Sequence, residues 1–101
     1  MSTLTDRARL SIEAVHTTTD TLSVDLTDGR TISVPLAWYP RLLYGQPEER
    51  QGWRLIGKGA GIHWPMLDED ISLEGIISGM PSTEKAKSLQ KWISTRTEPR
   101  K

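Results

Sequence analysis

The residues best suited to chemistry are a histidine, His63, and a run of three acids, Asp68, Glu69 and Asp70, a few positions further on. One imidazole with two carboxylates could hold a hard metal ion or carry out general acid–base catalysis. The spacing matches no ligand motif, and the second histidine, His16, lies far away in sequence on a predicted strand. The acids have a simpler explanation. Carboxylates suit the first turn of a helix, where the helix dipole favours negative charge. No catalytic residue, metal ligand or cofactor is assigned on this reading, and the chain is expected not to be an enzyme. It contains no Cys, which excludes thiol catalysis, disulfide scaffolds and thiolate metal sites.

A second group mixes aromatic and basic side chains. Trp38, Tyr39 and Arg41, with Trp53 and Trp64, could form a surface that stacks bases or clamps acidic groups. With four Trp and no Phe, however, the chain concentrates its large apolar volume in the indoles. Trp53 and Trp64 are therefore assigned to the core. Trp38 and Tyr39 are adjacent and cannot both face fully inward, so with Arg41 they are candidates for partner binding. Alternatively, Arg41 and Arg54 pair with the acids near Asp68 and are structural. Gly57, Gly59 and Gly61 read as a tight turn, because a phosphate loop would need a long helix and a Lys-Ser/Thr pair after it.

The elements that position these groups follow from periodicity. Residues 10 to 36 alternate apolar and polar, as strands with one buried and one wet face do. Leu10, Ile12 and Ala14 are expected on one face, followed by Leu22, Val24 and Leu26, then Ile32, Val34 and Leu36. A two-residue turn at Asp28-Gly29 would set Val24 against Ser33 and mix core with solvent. A three-residue loop of Thr27, Asp28 and Gly29 pairs Leu26 with Arg30, Val24 with Ile32 and Leu22 with Val34. It needs a positive φ at Gly29. An earlier turn falls near residues 17–20.

After Leu36 the period changes. Pro40 and Pro47 each suit the first position of a short helix, the second with Glu48 and Glu49 in its first turn. Two short extended pieces, 54–57 and 61–64, flank the glycine turn. Asp68 to Asp70 are expected to open a helix with Leu73, Ile76 and Ile77 inside and Gly79 just past its end. A last helix, 83–94, carries Ala86, Leu89, Trp92 and Ile93 between Lys85, Lys87 and Lys91.

Composition bounds the rest. The 101 residues suit one small domain, and 13 basic against 13 acidic residues do not describe a strongly basic nucleic-acid binder. Charge is uneven: residues 1–80 carry a net −4 and residues 81–101 a net +4. The division expected is a single domain over 1–80, frayed over 1–9, then a basic helix and tail over 81–101. No signal-like segment or apolar run near the ~20 residues of a membrane span is present, so a cytoplasmic protein is expected.

The runs DGRTISVPLAWYPRLL and PEERQGWRLIGKGAGIHWPMLDEDISLEGIISG carry DGR, VPL, W-Y-P-R-L, GIHWP and DEDIS in that order. Over roughly residues 12–79 this resembles the bacterial family called domain of unknown function 2442. The resemblance implies a small α+β domain and no established activity. Some members carry a C-terminal helix-turn-helix domain, for which the stretch after Gly79 is expected to be too short. Others are encoded beside a second small protein, in an arrangement resembling a toxin–antitoxin pair. Within the matching motifs, Arg54, His63, Trp64, Asp68, Glu69 and Asp70 are read as structural.

The fold class expected is α+β: an N-terminal three-stranded antiparallel meander, short helices, a second small β element and a C-terminal amphipathic helix. The function expected is a non-enzymatic protein-interaction module, an antitoxin-like or regulatory partner of a small neighbouring protein. Its partner-binding residues would be Trp38, Tyr39, Arg41, Lys85, Lys87, Lys91 and Trp92. A homo-oligomer is compatible with the small size. Two alternatives are a nucleic-acid-associated regulator, whose affinity would be weak and salt-sensitive, and an enzyme or metal protein using His63 and the 68–70 acids.

Overall fold

The computed structural model describes residues 10–97, so the expected fraying over 1–9 lies outside the described residues. Strands β1 (Ile12–Thr17), β2 (Thr21–Leu26) and β3 (Thr31–Pro35) form one antiparallel sheet in that order. A 3-10 turn, Leu36–Trp38, leads into two one-turn helices, α1 (Pro40–Tyr44) and α2 (Pro47–Gln51). A second antiparallel sheet follows in the order β4 (Arg54–Ile56), β5 (Gly61–Trp64), β6 (Glu69–Ser72). Helices α3 (Leu73–Ser78) and α4 (Ala86–Thr97) complete the fold, which is α+β as expected.

The β2–β3 hairpin has the register that burial demands. Val24 faces Ile32 and Leu22 faces Val34, while the Leu26 N–H donates to Arg30 O at 2.8 Å. Gly29 takes φ +94°, so the three-residue loop closes as expected. In β1 the strict alternation fails. Ile12 faces Leu26, but Ala14 faces Asp25 and Val15 faces Val24, so one extra residue is bulged into the strand. The bulge turns Ala14 away from its expected face and gives its place to Val15, which is 5% exposed. Val fills that site with more apolar volume than Ala.

Pro40 and Pro47 both stand at the start of their helices, and the α2 capping box closes with Glu49 accepting from the Gln46 N–H at 2.8 Å. The acids 68–70, by contrast, do not open a helix. Asp68 turns the chain with φ 52°, and Glu69 to Ser72 pair with β5: Ile71 faces Ile62, Asp70 faces His63 and Glu69 faces Trp64. Burial of Ile71 against the core outweighs the local helix preference of the carboxylates. The helix starts one turn later, where Ser72 Oγ accepts from the Gly75 N–H at 2.9 Å, and it ends at Gly79 with φ 73°. Leu73 and Ile76 point inward, whereas Ile77 is 52% exposed and not an inner-face residue.

One core joins the two sheets. Trp64 and Leu67 are fully buried with Leu22, Val24, Leu36, Leu42 and Ile62, and Trp53 packs half-buried against them. The Trp64 Nε1–H donates to Arg50 O at 3.0 Å, tying β5 to α2. The sheets also meet at Gly59, whose φ is +89° and where a Cβ would stand 2.8 Å from Ser11 Cβ and 2.9 Å from Ile12 O.

Gly29 and Gly59 separate two backbone effects. At Gly29 a Cβ would meet nothing within 4 Å. Gly29→Ala is expected to lower unfolding free energy by about 1–2 kcal/mol through φ alone. Gly59→Ala adds a backbone clash and is expected to cost about 1–3 kcal/mol more. Urea denaturation of both variants checks the order; equal effects would remove the close sheet-to-sheet approach from the account.

Candidate functional site

A cleft of about 650 Å³ opens between β6 with α3 on one side and residues 80–84, which belong to no helix or strand, on the other. Residues 68, 69, 70, 71 and 72 all line it. One face of a strand would contribute only alternate residues, so the cleft runs along the edge of β6. Among the described residues β6 pairs only with β5, leaving that edge as the outer edge of the sheet.

Arg41 on α1 builds one end of the cleft. Its Nε donates to Glu84 Oε1 at 2.9 Å and its Nη2 to Glu84 Oε2 at 2.7 Å. Its Nη1 reaches Asp68 O at 3.2 Å and Asp68 Oδ2 at 3.5 Å, and its guanidinium lies 5.0 Å from the Trp92 ring centre. The Arg41 guanidinium holds the Glu84 carboxyl below the usual carboxylate range. The far wall is pinned as well: the Ser82 N–H donates to Trp38 O at 3.0 Å and the Met80 N–H to Gly75 O at 2.9 Å.

Two groups at the cleft are electrostatically unusual. Burial pushes the Glu69 carboxyl from its usual 4.5 up to about 7; Arg41 pulls it the other way, and burial wins. Glu84 and Asp70 add repulsion, and the Asp70 backbone N–H bonds to the carboxylate form. Tyr39 is 3% exposed, and its hydroxyl has no hydrogen-bond partner. Burial, and secondarily the charge of Glu69, pushes the phenol up. A buried hydroxyl left without a partner costs about 1–3 kcal/mol, so its retention calls for a reason.

The other sequence-selected residues are placed as follows. His63 Nδ1–H donates to the Asp70 carboxylate across the β5–β6 ladder, and Arg54 faces His63 on the opposite strand. Asp70 lines the cleft and His63 does not. His16 hydrogen-bonds Asp25 at 2.9 Å on the wet face of the first sheet. Among the described residues no group of three or more His, Asp or Glu could hold a metal ion. Trp38 is half-buried against the core, and Arg41 is held internally by its partners.

Helix α4 begins and ends three residues later than the periodicity placed it. It lies against the body of the domain through Trp92, which stands between Arg41 and Arg96 at 5.0 and 4.6 Å. Arg96 Nη2 also donates to Glu49 Oε1 at 2.5 Å. Lys85, Lys87 and Lys91 remain exposed. The sequence reading overlooked Arg50, which is 8% exposed and caps the end of α1 through Gly45 O at 2.5 Å and Leu42 O at 3.2 Å. It also overlooked that Tyr39 and Glu69, thirty residues apart in the chain, line the same cleft, for which no local pattern exists.

With this geometry in place, the family model described as "Protein of unknown function (DUF2442)" matches residues 12–82. The chain belongs to this family. The DUF2442 match spans both sheets and α3 and ends at Ser82, so Glu84 and α4 lie beyond it. A protein of unknown function from Rhodospirillum rubrum, known from a crystal structure, superposes with a TM-score of 0.64 at 26% identity, over 74% of this chain and 93% of that one. An uncharacterized protein from Chromobacterium violaceum, known from a solution NMR structure, gives a TM-score of 0.65 at 19% identity, over 93% of this chain and 83% of that one. No curated protein matches the sequence. Among the described residues no helix is long and apolar enough to cross a membrane.

The raised Glu69 carboxyl has a consequence for stability. Between its usual 4.5 and about 7 the folded chain keeps a proton that the unfolded chain has released. Stability from this group is therefore complete below 4.5 and falls as pH rises to about 7. Glu69→Gln is expected to change little at pH 4, to stabilise the protein at pH 8, and to flatten the decline between. Denaturation across that range checks it; a decline that survives the substitution unchanged would assign it to another group.

Proposed function

We propose that the chain is a non-enzymatic protein-interaction module, an antitoxin-like or regulatory partner of a second small protein, which it receives in the cleft along β6. The observation that carries this reading is the outer edge of a sheet bordering an open cleft whose far wall, residues 80–84, belongs to no helix or strand. An edge strand offers backbone donors and acceptors to an incoming segment, and a walled edge restricts which segment fits.

The charge distribution supports a protein segment over a nucleic acid at this place. Five carboxyl groups, four of them besides Glu69, line the cleft against the single guanidinium of Arg41. A phosphate backbone would meet repulsion there. The exposed lysines of α4 lie outside the cleft lining. The non-enzymatic part of the reading is supported by His63, whose hydrogen bond runs to Asp70 within the sheet, and by its absence from the cleft lining.

Titrating the ¹⁵N-labelled protein with a randomised heptapeptide library is expected to shift the amide signals of residues 68–72 and 80–84. Thr83, exposed on the far wall, offers a blocking position. Thr83→Trp is expected to abolish those shifts while leaving the melting temperature within a few degrees. Shifts confined to α4, or none anywhere, would reject this cleft as the binding surface.

A further inference from the structure

Resting on the reading of the cleft as a peptide-binding surface, we propose that its floor is a recognition site for one cationic side chain, a lysine or arginine, in the partner's extended segment. Two independent observations meet at this floor. The first is the Tyr39 hydroxyl, more than nine-tenths buried, without a partner, on a residue that lines the cleft. The phenol oxygen can accept a hydrogen bond from an ammonium or guanidinium N–H. The second is an excess of negative charge that the chain does not neutralise there. Arg41 is committed to Glu84, to the backbone of Leu67, to Asp68 and to the Trp92 ring, and its guanidinium faces five oxygens. Asp70 is engaged by His63.

Glu69 and Glu74 are the lining carboxyls without an ion-pair partner, and of the two only Glu69 is shielded from water. Burial raises it to about 7 although Arg41 opposes this, so in the empty cleft it is mostly a neutral acid below pH 7. The groups acting on it are Arg41 from α1, Tyr39 before α1, Asp70 beside it on β6 and Glu84 from the far wall. Asp68 and Glu74 also border the cleft. An arriving cation supplies the opposite charge that Arg41 only partly provides. The Glu69 proton then leaves to solvent, and the carboxylate pairs with the ammonium or guanidinium: a neutral acid and a cation become an ion pair and one released proton. Charge-assisted hydrogen bonds of this kind are about twice as strong as neutral ones. A neutral apolar side chain would gain none of this and would leave the phenol unpartnered.

Proton release makes the recognition pH-dependent. With a carboxyl titrating at about 7, apparent affinity for the cationic segment is expected to rise about tenfold from pH 6 to pH 8, because protons compete with the ligand below that range.

The test uses three heptapeptide libraries with randomised flanks and Lys, Arg or norleucine at the central position, together with free agmatine. Calorimetry at pH 6 in two buffers of different ionisation enthalpy counts the protons released. The Lys or Arg library is expected to bind at least tenfold more tightly than the norleucine library and to release close to one proton. Glu69→Gln is expected to abolish both the preference and the proton release. Tyr39→Phe is expected to weaken cationic binding several-fold while leaving the melting temperature equal or higher, since it removes an unpartnered hydroxyl. Equal binding of the norleucine library, or undiminished preference in Glu69→Gln, overturns the cation site. In that case amide shifts along residues 68–72 with any library still support the interaction module. Agmatine binding as tightly as the peptides overturns the peptide source. Absence of shifts with every library rejects both the site and the module reading.

Discussion

Arg41 is the contact on which the arrangement of the C-terminal third depends. One guanidinium joins α1, the turn before β6, the segment after α3 and the indole of Trp92. Arg41 and Glu84 are both mostly shielded from water, at 15% and 11% side-chain exposure, so breaking the pair would leave a poorly solvated charge. The 80–84 wall is fixed by Glu84 on Arg41 together with the Ser82 and Met80 backbone hydrogen bonds, and the cleft exists because the wall stands off β6. Arg96 with Glu49 repeats the device at the other end of α4.

The same commitment explains the electrostatics of the cleft. A mobile arginine would have neutralised Glu69. Arg41 is instead spent on Glu84, and Glu69 is left with burial as the dominant influence. A small domain can keep a carboxyl neutral near physiological pH in this way without a second acid in hydrogen-bond contact. The price is folding stability, lost as pH rises from 4.5 to about 7. Tyr39 adds a second penalty in its unpartnered hydroxyl. Two such penalties at one place are unusual for a domain with a single modest core, because marginal stability leaves little to spare.

Membership of DUF2442 and the two structural relatives extend the fold, not the chemistry. The matched region ends at Ser82, before Glu84, Trp92 and Arg96. The cleft thus combines a floor and Arg41 within the matched region with Glu84 outside it.

The sequence by itself determined the first sheet almost completely. Its hairpin register followed from keeping Leu22, Val24, Ile32 and Val34 on one side and from the φ that only Gly29 takes easily. The prolines opening α1 and α2, the C-cap at Gly79 and the burial of Trp64 were equally legible, because each rests on one residue's intrinsic geometry or size. The β1 bulge was not legible, since Ala14 and Val15 compete for one core position and only the packed neighbours choose. Nor was β6: a carboxylate run is locally suited to a helix start, and pairing with β5 overrides it once Ile71 can be buried. The cleft belongs wholly to the tertiary structure. Tyr39, Arg41, Glu69 and Glu84 are spread over more than forty residues, and nothing local to any of them says which partner it will meet or whether water will reach it.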